Sequence, residues 1–372
     1  MRKPILNLSR VIAVLGFFVL GLSGALPNSG GIDLVTPAFA QQKGTVPGES
    51  VGNTSTSDMW RIIRRGDRGS VTLPDRQTGI MIQSEGENWR AFRNGPMSTF
   101  GVWLMGGVLV LLLVFFLIRG QIKVDNGLAG RLIERFNNVE RFAHWLTASS
   151  FVALGLTGLN MLYGRYVIKP VIGGDAFSTF TLWGKYAHNF LGFAFMVGIV
   201  LILVLWIRDN LPNRQDWVWV SKGGGLFSKG VHPPARKFNA GQKIIFWLVV
   251  LTGISLSVSG LCLLFPFEFR PFGGTFALLN AVGFDLPTNL TIMQEMQLTQ
   301  VWHGILSLVM IAVILAHIYI GWLGMEGAYD AMGSGYVDEN WARQHHSLWM
   351  EEMDSKGGGE VPASAPSQKT DV

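Results

Sequence analysis

A single cysteine, Cys262, is the whole thiol complement of this 372-residue chain. One thiol forms no internal disulfide, makes no C-x-x-C-H attachment for covalent haem, and holds no iron–sulfur cluster by itself. Any redox chemistry here needs a cofactor bound without covalent links. Charge is scarce too: 15% of residues are charged against 49% hydrophobic, and the mean hydropathy is +0.32. That balance excludes an ordinary soluble domain of this length and points to membrane lipid as the solvent. The net charge of +5 and pI near 9.4 do not indicate nucleic acid, because the basic residues sit beside apolar segments instead of along one polar face. Acidic side chains are missing from the cores of those segments, which argues against a carboxylate proton relay or an ion-coupled transporter. Glycine is plentiful, with 46 residues, many inside apolar runs, where close approach of helices or of a flat ligand needs it.

The N-terminus reads as an export signal, residues 1–40. Arg2, Lys3 and Arg10 make a basic start, VIAVLGFFVLGLSGAL an apolar stretch, and AFA before Gln41 a cleavage site. An uncleaved anchor is the alternative, since the gap before AFA is long. Residues 41–98 are polar and arginine-rich, with one or two short strands expected and no assignable chemistry. Five apolar segments follow, near 99–118, 143–163, 186–207, 244–267 and 300–325, each long enough to cross a bilayer. Export of the N-terminal segment makes the first run inward and the rest alternate. The basic residues agree with that orientation: five between Arg119 and Arg141 and seven between Arg208 and Lys243 fall on the inner side. Only Arg165, Lys169, Lys185 and Arg270 fall outside. The expected location is the bacterial inner membrane, with residues 326–372 as a cytoplasmic tail ending in the disordered-looking SKGGGEVPASAPSQKTDV.

Four of the seven histidines lie in or beside these spans. His144, in VERFAHW, opens the second span at its inner end; His188, in WGKYAHNF, opens the third at its outer end. The last span carries both His303 and His317. Fourteen residues at 100° each bring those two rings to one helix face, about 21 Å apart along the axis. His303 is then outer and His317 inner, so each has a partner at its own depth: His188 with His303, His144 with His317. Paired axial imidazoles on facing helices are what a six-coordinate b-type haem requires. Gly155, Gly158, Gly192 and Gly304 would clear room for haem edges, and Arg141 and Lys185 would meet propionates. His232, in SKGVHPPARK, reads as a solvated loop residue. His345 and His346, in WARQHHSLW, read as part of a short amphipathic helix that docks a partner.

The stretches NVERFAHW, WGKYAHNFLGF, KFNAGQKIIFW, VWHGI, ILAHIYIGW and WARQHHSLW together resemble the gamma subunits of membrane-bound formate dehydrogenases, di-haem b cytochromes. The likeness runs from about Ile133 to Glu352. It implies an all-α integral membrane protein: a four-helix di-haem cytochrome b bundle within 119–325, here with one additional N-terminal helix. It also implies two haem b groups, an iron–sulfur beta subunit, a molybdenum- or tungsten-containing alpha subunit that oxidises formate, and a quinone acceptor, menaquinone or ubiquinone. The quinone would lie near the inner haem at Asn239, Gly241, Gln242 and His317; Asn239 reads equally well as a helix cap. Known gamma subunits are shorter, so residues 41–118 are an addition, suited to bracing the beta subunit or a neighbouring protomer in a higher oligomer. Cytochrome b subunits of nickel–iron hydrogenases and sulfur-compound reductases are more distant alternatives. A haem-free anchor or transporter is the alternative of another class.

Overall fold

The computed structural model describes residues 84–228 and 230–355, all within the second of two compact units, Ile80–Val372. The expected export signal and nearly all of the polar segment lie outside the described residues. A first helix, α1 (Ser84–Phe92), continues through a π-helical turn (Arg93–Met97) into α2 (Ser98–Arg119). Pro96 has no N–H to give the helical ladder, and the wider turn absorbs that gap, with Ser98 Oγ donating to the Arg93 carbonyl at 2.7 Å. The remaining long helices are α3 (Asn138–Val167), α5 (Gly174–Trp206), α7 (Ala240–Leu264) and α9 (Ile292–Tyr319). Between them lie the short α4 (Lys169–Ile172), α6 (Arg214–Ser221) and α8 (Pro271–Asn280). Five stretches are long and apolar enough to cross a membrane, as expected. Most overrun the apolar windows at one or both ends, and α3, α7 and α9 start at polar caps that hydropathy does not see. Asn137 with Glu140, Asn213 with Asp216, Asn239 with Gln242, and Thr291 with Gln294 each close a capping box.

Helix α3 runs along α5, α5 touches α7, and α7 runs along α9. Gly198 is a close approach of the first pair: a Cβ there would stand 3.1 Å from the Thr147 Cα. Phe151, Phe195, Ile199, Leu256 and Met310 form an apolar layer in the middle of the bundle. Helix α2 leans mainly on α9 and leaves Trp103, Leu111, Leu117 and Ile118 exposed, a side surface fit for lipid. Glu295, buried in the first turn of α9, is spent on the start of α8, accepting from the N–H groups of Phe272 and Gly273 at 3.0 and 2.7 Å.

One end of the bundle carries a folded cap. Residues 326–355, expected to lie in a tail, form α10 (Asp330–Gly333), β2 (Tyr336–Asp338), α11 (Glu339–His345) and α12 (Ser347–Ser355). Strand β2 pairs antiparallel with β1 (Leu132–Glu134), Ile133 opposite Val337. Phe136, Trp206, Phe238, Val337, Trp341 and Trp349 share one core that joins the cap to the ends of α3, α5 and α7. The two short strands and an isolated bridge between Ile122 and Met325 depart from the all-α structure expected.

Candidate functional site: two histidine pairs

The bundle brings the four histidines together in the expected pairs. His144 of α3 faces His317 of α9 with ring centroids 6.3 Å apart and planes inclined at 58°. His188 of α5 faces His303 of α9, also at 6.3 Å, with planes at 61°. Two imidazoles that bind one metal through ring nitrogens, each about 2 Å from it, have centroids about 6 Å apart. Both pairs therefore fit an iron between them. Among the described residues no group of three or more histidines, cysteines or carboxylates is placed to hold a bare ion. Each pair could supply two ligands to a haem iron, the porphyrin supplying the other four.

Neighbouring helices set the histidine tautomers. Thr157 Oγ1 donates to the Ala153 carbonyl at 2.7 Å, so its lone pair faces His188 Nδ1, 2.9 Å away. Ser259 Oγ donates to the Leu256 carbonyl at 3.0 Å and faces His303 Nδ1 at 2.8 Å. With the hydroxyl protons committed, each Nδ1–H donates and each Nε2 keeps its lone pair for a metal. A glycine follows each hydroxyl residue. A Cβ at Gly158 would stand 3.6 Å from His188 Cε1, and one at Gly260 3.7 Å from His303 Cε1. Histidine positions alone do not reveal these partners, and the hydroxyl-glycine step does not single them out, since Thr252-Gly253 repeats it without meeting a histidine. In the other pair, His144 Nδ1 is buried without a hydrogen-bond partner among the described residues.

Several expectations need correction. Gly304 packs against Met97, whose Sδ would stand 3.0 Å from a Cβ at that position, and Gly155 faces Ile311, so neither borders a histidine ring. Arg141 is taken by the carbonyls of Met332 and Gly333 and by Asn138, tying α3 to the cap, and is not held for a propionate. His346 is no docking surface: it is 1% exposed, its Nδ1 lies 2.7 Å from the Arg236 carbonyl, and its ring packs against Trp341 and Trp349. Burial also holds His345 and His346 below the usual imidazole range, His345 at about 4. His232 is not simply solvated, since its Nε2 meets Asp125 Oδ2 at 2.7 Å. Asn239 and Gln242 cap α7: Asn239 Oδ1 accepts from the Gln242 N–H at 2.9 Å and Gln242 Oε1 from the Asn239 N–H at 3.0 Å. Gly241 lets Trp219 lie across it, for a Cβ would meet Trp219 Cη2 at 2.8 Å.

An apolar helical bundle with facing histidine pairs is the architecture of a membrane-embedded b-type cytochrome. The chain belongs to the prokaryotic cytochrome b561 family, whose pattern its residues 135–335 match. It is therefore a multi-pass membrane protein of haem b type. It is 25% identical over 222 residues to the formate dehydrogenase cytochrome b556(fdo) subunit of Escherichia coli K12, covering 59% of this chain and 93% of that one. Its identity to the nitrate-inducible formate dehydrogenase cytochrome b556(Fdn) subunit of the same strain is 24% over 226 residues, 60% and 93% of the two chains. The formate dehydrogenase cytochrome b556 subunit of Haemophilus influenzae is 22% identical over 223 residues, 59% and 83% of the two chains.

Proposed function

We propose that this chain is the membrane electron-transfer subunit of a respiratory formate dehydrogenase, holding one haem b on His188 and His303 and a second on His144 and His317. The observation that carries this reading is the equal 6.3 Å spacing of both pairs, set at two levels of one helix. The names of the relatives support a formate-oxidising complex over a hydrogenase. The partners would be an iron–sulfur beta subunit and a molybdenum- or tungsten-containing alpha subunit; with one cysteine, this chain holds no iron–sulfur cluster by itself. When bound, the haems supply one-electron transfer along α9. The chain's own residues fix the imidazoles, exclude water through the layer around Phe151 and Met310, and anchor the complex.

Export of residues 1–40 would place 41–98 in the periplasm and the cap in the cytoplasm, as the distribution of basic residues supports. The acceptor would be menaquinone or ubiquinone, bound beside His317 at the start of α7. The capping box uses only the oxygens of Asn239 and Gln242, so the NH2 ends that suit a quinone carbonyl are not part of it. Gly241, proposed for the same site, lies under Trp219, whose ring would form one wall of it.

The test is a dithionite-reduced minus oxidised spectrum with haem quantitation on wild type, His303→Ala and His317→Ala. Two b haems per chain in wild type, with a different one lost from each variant, are expected. No haem, or a count that neither substitution changes, would return the histidines to packing roles.

A further inference from the structure

Reducing a quinone to the quinol takes two electrons and two protons and forms two O–H bonds. If the acceptor binds at the start of α7, its protons come from water on the cap side, because the apolar layer closes the other direction. The cap holds a line of polar groups leading that way. Asp125, half-exposed, meets His232 Nε2 at 2.7 Å. The His232 ring stands perpendicular to that of His345, centroids 6.0 Å apart. His345 Nε2 is buried and has no hydrogen-bond partner among the described residues. Trp341 lies against His345 at 5.2 Å, and the Arg135 guanidinium lies 5.2 Å from the same indole. Arg135 is 3% exposed, and its Nε and Nη1 are also unpartnered, as is Trp341 Nε1. Its remaining nitrogen, Nη2, donates to the Lys237 carbonyl at 2.6 Å and points to Gln242 Oε1 at 3.5 Å.

Four buried polar atoms without partners on three adjoining side chains contrast with His346, whose Nδ1 is satisfied and whose ring only packs. Groups left so in a protein interior recruit water, which makes about three hydrogen bonds to such atoms. We propose that Asp125, His232 and His345 form the proton-uptake path of the quinone site, delivering protons from the aqueous face of the cap to the Arg135–Gln242 contact. This rests on the quinone reading given above. The cation of Arg135 does not release a proton; it orients what lies between His345 and Gln242. The groups facing His345 are His232, Asp125, Arg135 and His346. Burial keeps His345 neutral at pH 7, so one ring nitrogen accepts while the other donates.

The experiment uses the full chain with its haems. After stoichiometric reduction with dithionite, it is mixed with excess menadione or decylubiquinone, and haem reoxidation is followed from pH 6 to pH 8. Asp125→Asn, His232→Asn and His345→Phe are expected to slow reoxidation roughly ten-fold or more, most at pH 8, with haem content unchanged. Added imidazole, a mobile proton carrier, is expected to restore part of the rate. Wild-type rates in all three variants would overturn the path, as would slowing that imidazole leaves unchanged, the mark of a packing defect. Asp125→Asn, at the surface, decides the matter if His345→Phe fails to fold. Wild-type haems that neither quinone reoxidises would overturn the quinone reading itself, and the path with it, before any variant is compared.

Discussion

Thr157 and Ser259 each spend a hydroxyl proton on a carbonyl of their own helix and turn a lone pair toward a histidine of another. An acceptor on Nδ1–H makes the opposite nitrogen a better donor and so favours ferric iron. Replacing Thr157 by Val keeps the shape and removes that acceptor. The expected result is a higher midpoint potential for the haem proposed on His188 and His303, an unchanged potential for the other, and a roughly 10–100-fold weaker hold on the first. A redox titration resolving two components checks it; movement of both or of neither would contradict it. The four histidines were legible in the sequence because imidazole is rare in an apolar span and the topology gave each a depth. Their hydroxyl partners were not. A threonine or serine in an apolar helix ordinarily bonds the carbonyl a turn back, and its residue type alone does not separate those that also meet a histidine.

The helices keep the histidine pairs in register only while their ends and crossings hold. At the α3–α5 crossing the Thr147 backbone leaves no room for a side chain at Gly198. Gly198→Val should part the helices that bear His144 and His188, costing about 1–3 kcal/mol and lowering haem content, as thermal unfolding and the absorption spectrum would register. At the start of α7 Asn239 caps the helix and is also the proposed contact of the acceptor. Asn239→Ala should cost about 1 kcal/mol through the lost cap, whereas Asn239→Ser keeps the cap and removes the amide NH2. A raised KM for quinone in the serine variant at wild-type stability would assign the amide to the acceptor; a wild-type KM would leave it as a cap alone. Hydropathy located all five long helices but not their lengths. Capping boxes and the π-turn at Pro96 set the ends, and those depend on hydrogen bonding rather than on apolar character.

At the scale of the molecule, the cap joins segments that the chain keeps some two hundred residues apart. The Asp338 carboxylate accepts from the N–H groups of Ala129 and Gly130 at 3.1 and 2.8 Å, and Arg135 is stacked among Phe136, Trp341 and Trp349. Pairings of that separation leave no periodicity to read, which is why residues 326–355 looked like a tail. The same assembly makes the cap sensitive to acid. Burial lowers the pKa of His345 to about 4 and that of His346 well below its ordinary value of 6.5. Between about pH 4 and 6.5 the unfolded cap therefore binds more protons than the folded one, and its stability rises with pH across that window. Amide exchange in residues 326–355 should accelerate as pH falls from 7 toward 5, after correction for intrinsic rates. The mid-bundle layer around Phe195 and Met310, which holds no histidine, should stay protected. Cap protection that stayed flat across that range would mean that His345 and His346 titrate normally in spite of the packing of His346 between Trp341 and Trp349, and would overturn this account.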